Sequence, residues 1–450
     1  MSVPDELRRY VPRTDLYDSL ELVHYHMPVE QPPATASYII FKKGNKTYAK
    51  NGTYGHIEFE GTDISKVIND VMDALENGGR ILIKAGIYYT STAINLANKT
   101  NIIISGEGIN ATILKISQGS QINAITASGS VNCSITNLTI DGQKNLQTDG
   151  GTYSNQCGIF ANPSTRLQIY NVMIKNCYYS GIFLRNDTES IIANSYFINN
   201  GAGGTGGVQA GVLIDGPSDT AFSERTKVIG CHAEGNYNWG FSVGDYVKYI
   251  IFKGCTAKGN NTGFDLEPGT FAGGSIAVIA NGCISHSNSY RGFYLNGTRS
   301  AIVNSVSYGN VIGIRAEGTL NTIANNLVLT NSQEGMQLSG LKRSTVSGNI
   351  IYGNGRTGIW LGACEFVTVC ANHLFENGGG SYDTILLTST STRNIINGNT
   401  IDGNNKSVYG VHEDTSDDDY NIITSNNILN CITAAILTNG ANTITANNVT

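Results

Sequence analysis

A chain of 450 residues could hold several globular domains, yet only 14% of it is charged, and glycine supplies 53 residues against 8 prolines. Its net charge of −6 and the lack of any Lys/Arg run argue against a grip on phosphate backbones, so nucleic acid is excluded as a partner. No stretch approaches the roughly 20 apolar residues of a membrane span, and a surface built from Asn, Ser and Thr suits sugars.

In chain order, residues 1 to 55 show no repeat and contain Pro4, Pro12, Pro28, Pro32 and Pro33, which discourages regular structure. They are expected to form an attachment or capping segment, with residues 56 to 450 as the main domain. Met1 to Glu30 lacks a basic head followed by an apolar run, so no secretory signal is visible. The protein is then expected to stay inside the cell, to have had its leader removed, or to reach an extracellular or virion-surface role by lysis as part of a virus particle. Next, Thr62 or Asp63 can cap a helix over residues 64 to 76, with Ile64, Val67, Ile68, Val71 and Leu75 at helical spacing and Gly78 or Gly79 to end it.

From Gly158 onward a strand pattern G-Φ-x-Φ (Φ apolar) recurs at Gly181, Gly211, Gly240, Gly263, Gly292, Gly313, Gly335, Gly358 and Gly410, with degenerate copies at Thr384 and Ala435. The spacings run from 21 to 30 residues and carry no 3.6-residue stripe. Short β-type runs at such a period, broken by Asn and Gly, are the mark of a solenoid. The expected fold is all-β: a right-handed, single-stranded parallel β-helix of about 12 to 14 coils with a short N-terminal capping helix.

Three segments before the repeat make a resemblance specific: "GGRILIKAGIY" from Gly78, "IIISGEG" from Ile102 and "NLTIDG" from Asn137. In this order, after a helix, they resemble the first coils of the pectate-lyase-like superfamily of parallel β-helix proteins, which includes polysaccharide lyases and hydrolases and phage tailspikes. The resemblance implies a polysaccharide or glycan as partner, and its tailspike branch implies a homotrimer. The polygalacturonase motifs Asn-Thr-Asp, Gly-His-Gly and Arg-Ile-Lys are missing, which puts that particular activity in doubt.

Turn asparagines, among them Asn236, Asn260, Asn288, Asn310, Asn331, Asn354 and Asn377, should stack along the solenoid and tolerate left-handed turns. The nine cysteines form no C-x-x-C pair, and Cys231, Cys255 and Cys283 follow a glycine at one place in consecutive coils, so a ladder of buried thiols is expected.

Alternation along G-Φ-x-Φ-x turns the third and fifth positions outward. The third-position column reads Phe183, Leu213, Ser242, Asp265, Tyr294, Arg315, Gln337 and Trp360, with His412 further on. The fifth reads Arg185, Asp215, Gly244 with Asp245 beside it, Glu267, Asn296, Glu317, Ser339 and Gly362. The loops Gly201 to Gln209, Pro217 to Thr226 and Pro268 to Ser275 would flank the richest stretch of both columns.

Glycoside hydrolysis needs one protonated and one ionised carboxyl, about 5 to 9.5 Å apart. Asp265 and Glu267, two residues apart on a strand, meet that spacing at about 6.8 Å, with Asp215 and Asp245 as further catalytic candidates. A uronate lyase would instead use Arg315 or Tyr294 as base or acid and could hold calcium on Asp215, Asp245 and Glu267; no cofactor is otherwise implied. Tyr294, Asn296, Glu317, Trp360 and Arg185 are the candidate substrate-binding residues, Trp360 as a platform for a sugar ring. The favoured reading is a polysaccharide-cleaving enzyme, hydrolase ahead of lyase, acting in a groove along one sheet face. The alternative is a non-catalytic glycan-binding adhesin or tailspike-type protein.

Two features lie beyond this stripe. Glu413, Asp414 and Asp417 to Asp419 read as a solvated loop, with calcium binding as the alternative. Residues 441 to 450 read as the middle of a coil, so the natural chain is expected to continue, or its last rung to be covered.

Overall fold

The computed structural model describes residues 36–450 apart from 153, 204–208, 219 and 268–275. Each full coil contributes one strand to each of three parallel ladders. Sheet 1 has 14 strands, from Ile94–Asn95 to Ala434–Leu437, one per coil. It contains every G-Φ-x-Φ segment, the degenerate copies Ile385–Thr388 and Ala434–Leu437 included. Two further ladders run beside it, one from Ile191–Ala193 to Ile444–Ala446 and the other from Tyr196–Ile198 to Asn427–Leu429. The long strands Ser134–Asp141 and Gln168–Lys175 pair into both and join them. The chain is an all-β parallel solenoid of about 14 turns, as its repeat implies.

The register stacks like on like. Phe241, Phe264 and Phe293 occupy one core position in three successive coils, with ring centroids 5.0 and 4.8 Å apart and nearly parallel planes. Burying such a column removes large apolar areas from water at every rung, which holds the coils together.

The repeated glycine is required by close approach. A Cβ at Gly292 would meet the Gly313 carbonyl oxygen at 2.5 Å and the Asn310 Nδ2 at 2.9 Å. Those asparagines form a continuous buried ladder: Asn236, Asn260, Asn288, Asn310 and Asn331 each donate from Nδ2 to the next Oδ1 at 2.9 to 3.2 Å, and Asn354 donates to Asn377 at 2.8 Å. Each ladder oxygen also accepts the previous rung's backbone N–H, as Asn310 does from Asn288. Where the glycine is replaced by Thr384, its hydroxyl donates to Ser407, which stands in place of the asparagine.

Two expectations need correction. The ladder asparagines are not themselves left-handed: positive φ falls on the residue before each, such as Gly235, Gly309 and Thr330, while the asparagine turns inward as acceptor. Of the supposed solvated acidic run, Glu413 and Asp418 are buried. Glu413 accepts from Asn421 Nδ2, Thr443 Oγ1 and the Gly440 N–H, and Asp418 accepts from the Ser391 N–H, so both tie the final coils.

The capping helix α1 spans Ile64–Ala74, with Asp63 accepting from the Ser65 N–H at its start. Ile64, Val67, Ile68, Val71 and Met72 are buried in the core. Within the segment expected to be irregular, Tyr38–Lys43 and Lys46–Asn51 form an antiparallel hairpin, and Tyr38–Lys43 also pairs in parallel with Gly79–Ile83. The five prolines named above lie outside the described residues. Cys231, Cys255 and Cys283 are buried free thiols in line, and contact with their neighbours and burial push the Cys255 thiol up to about 12.

Candidate functional site

Strand pairing puts the third-position column in register along sheet 1, while the fifth-position column is interrupted where Gly244 and Glu267 lie one residue past the ends of their strands. Ser242, Asp265, Tyr294, Arg315, Gln337 and Trp360 sit on adjacent strands in register, followed by Leu386 and His412. In the fifth-position column Arg185 pairs with Asp215, and Asn296 with Glu317. Before Ser242 the third-position column is apolar: Phe183 and Leu213 are buried with Cys157, Tyr179 and Ala210, and Trp239 packs against them.

Asp265 is outward yet only 6% exposed. Burial, reinforced by the negative charge of Glu267, pushes its pKa up to about 8, against weaker opposition from Arg291 and a 3.4 Å hydrogen bond from Ser242 Oγ. Its carboxyl therefore holds a proton at neutral pH. The Tyr294 hydroxyl donates towards Glu267 Oε1 at 3.4 Å, and burial and the Glu267 and Glu317 charges raise the phenol's pKa. Two guanidinium groups lie against the ring, Arg291 at 4.3 Å and Arg315 at 5.5 Å from its centroid. Arg315 is bound to Glu317 at 2.5 and 2.8 Å.

A second acidic pair stands apart. Asp215 is 3.7 Å from Arg185 Nε, and burial, with Asp245 adding to it and Arg185 opposing, pushes its pKa up to about 6. Its carboxylate uses the room left by Gly244, where a Cβ would meet Asp215 Oδ1 at 2.7 Å. Asp215, Asp245 and Glu267 are not gathered into one ligand set: among the described residues no three His, Cys, Asp or Glu side chains converge as a metal site would require. The Trp360 ring lies over Gly362, where a Cβ would meet it at 2.3 Å, so it is folded along the sheet. Of the flanking loops, 204–208, 219 and 268–275 lie outside the described residues.

Arg291 was missing from the sequence reading because it precedes the strand glycine, a position outside both columns. It is the first residue of the strand Arg291–Thr298, and its guanidinium lies 4.3 Å from the centroid of the outward Tyr294 ring. The signal was present in the sequence, since Trp239, Arg291, Glu334, Asp383 and Tyr409 all hold that position. Through it Asp383 reaches His412 on the next coil, with 2.8 Å from Oδ2 to Nδ1, and the Tyr409 ring lies 4.7 Å from the imidazole.

Residues 123–305 match the family described as "Right handed beta helix region". The match and the strand order agree on a right-handed parallel β-helix fold. Residues 218–410 of this β-helix match a second family, described as "Periplasmic copper-binding protein (NosD)". Among solved structures, it is similar to the A-module of Azotobacter vinelandii mannuronan C-5 epimerase AlgE6, at 18% identity and a TM-score of 0.53 over 86% of this chain and 95% of that one. It is also similar to the N-terminal fragment of bacteriophage Phi29 gene product 12, at 15% identity and a TM-score of 0.57 over 82% of this chain and 64% of that one. No curated protein matches it in sequence. At these identities the likeness establishes the fold. Among the described residues, no helix is long and apolar enough to cross a membrane.

Proposed function

We propose that this β-helix is a polysaccharide hydrolase whose acid is Asp265 and whose ionised partner is Glu267. The observation that carries this reading is the burial of Asp265, which with the Glu267 charge pushes its pKa up to about 8, two residues before a second carboxylate that lies just past the end of the strand Thr262–Leu266. An acid with a pKa near 8 can give its proton to a glycosidic oxygen, while Glu267, steadied by the Tyr294 hydroxyl, assists from two residues away. Asp215 and Asp245, two coils and one coil earlier, would extend the groove as contacts for sugar hydroxyls. Arg315 is committed to Glu317, which weighs against a lyase in which it would neutralise a uronate.

A second reading, a non-catalytic glycan-binding protein of an extracellular or virion surface, is favoured by the enclosure of Asp265. In that setting a homotrimer is expected, with a solution mass three times 48.0 kDa by light scattering. The deciding experiment is a polysaccharide panel assayed for new reducing ends and for the absorbance of unsaturated uronate. Reducing ends alone, abolished in Asp265→Asn, support hydrolysis. Both signals mean a lyase, and neither leaves the binding protein.

A further inference from the structure

Every coil turns its corners through a left-handed residue, and in six consecutive coils two such corners carry opposite residue types. After the second ladder the positions are Asn304, Asn325, Gly348, Ala371, Gly398 and Ser425, with φ between 53° and 65°. Before that ladder they are Arg299, Leu320, Arg343, Phe366, Arg393 and Tyr420, with φ between 46° and 60°. Left-handed backbone favours glycine and asparagine and is costly for large side chains. The first corner is small or polar at every rung, with glycine or asparagine at four of the six, and the second is large at every rung, alternating arginine with an apolar or aromatic residue.

The alternation is spatially regular. Each of the six stands two residues before Ala301, Thr322, Thr345, Thr368, Ile395 and Ile422, which pair in register. Arginines therefore recur every second rung, about 9.6 Å apart, with a flat or apolar side chain midway. All six are exposed. Arg393 lies over Phe366 at 5.9 Å and Tyr420 at 5.5 Å, and a concavity lined also by Ser344, Thr345 and Thr368 opens between Arg343 and Phe366. Lys342 adds positive charge, whereas Glu365, 3.5 Å from Arg393, and Asp419 offset part of it.

We infer that this edge is a binding track for an acidic polysaccharide, laid along the solenoid axis, with carboxylates on Arg299, Arg343 and Arg393 and sugar faces on Leu320, Phe366 and Tyr420. Strained backbone is retained where the side chains have work to do. Guanidinium forks suit carboxylates, and aromatic faces suit the apolar faces of sugar rings. One arginine per two rungs, with Glu365 and Asp419 among them, suits a carboxylated glycan better than the dense phosphates of nucleic acid. The track shares no residue with the Asp265 pair, so it stands whether or not that pair is catalytic.

Affinity electrophoresis of the full chain through gels containing polygalacturonate, alginate or hyaluronate, with neutral dextran and a thymidine 20-mer as comparisons, tests it. Retardation in at least one acidic glycan, weakened by salt and at least tenfold in apparent Kd by Arg343→Asn with Arg393→Asn, is expected. Because asparagine accepts the left-handed conformation, the melting temperature of that double variant should stay equal or rise. No retardation by any acidic glycan, equal retardation of the variant, or tighter binding of the thymidine oligomer would overturn the proposal. So would a clear fall in the variant's melting temperature, which would make the arginines structural.

Discussion

The Tyr294 hydroxyl stands 3.4 Å from Glu267 Oε1 across the boundary between two adjacent coils, so the candidate carboxylate is held by a side chain 27 positions away in sequence. Tyr294→Phe removes this donor while keeping the ring against Arg291 and Arg315. Turnover should fall about tenfold, in keeping with the modest worth of one hydrogen bond to a charged group, with KM little changed. Glu267→Gln should cost more, about 100-fold or beyond, if it takes part in proton transfer. Steady-state kinetics on the substrate found in the panel checks both.

Asp265 ties activity to pH. Its proton is needed for catalysis, so kcat/KM should fall along an alkaline limb centred near pH 8. Asp265→Asn should abolish turnover at every pH.

The same group ties stability to pH. Its folded pKa lies above the unfolded value, so between about pH 4 and pH 8 the folded form keeps a proton that the unfolded chain has lost. Stability from this group therefore declines as pH rises through that window. Asp265→Asn removes the penalty and should be more stable than the parent by up to about 5 kcal/mol at pH 9. Denaturant unfolding of both proteins at pH 4 and pH 9 measures the difference.

Hydrolysis by two carboxylates requires no metal, so dialysis against EDTA should leave reducing-end release within about twofold of the untreated rate. A larger loss restored by calcium would favour the lyase reading.

The asparagine ladder should be expensive to break. Asn310→Ala strips the shared acceptor from both the backbone N–H and the Nδ2 of Asn288, in a buried setting, and should cost about 3 kcal/mol. Asn304→Ala, at an exposed left-handed corner, should cost under about 1 kcal/mol. Gly292→Ala should be at least as damaging as Asn310→Ala, because its Cβ would strike both the next rung's carbonyl and the ladder. Melting temperatures of the three variants rank these effects.

Much of this protein was legible in one dimension. A solenoid's contacts repeat at a fixed sequence interval, so the period of the glycines determined the coil, the apolar pair of each strand determined the core, and alternation determined that Asp265, Tyr294 and Arg315 share one outward column. The helix beginning after Asp63 was likewise local, set by a cap and a 3.6-residue stripe. What the tertiary structure decided were distances and burial between coils. No spacing rule could say that Asp265 would be enclosed, that Arg315 would be held by Glu317, or that Glu413 and Asp418 would turn inward. Arg291 and Asp383 stand one residue before the strand-opening position, outside both columns, and only the packing of the coils shows that they meet Tyr294 and His412. The reason is physical: a repeat encodes which residues become neighbours, while the pKa of a carboxyl depends on how much water those neighbours remove and what charge they place beside it.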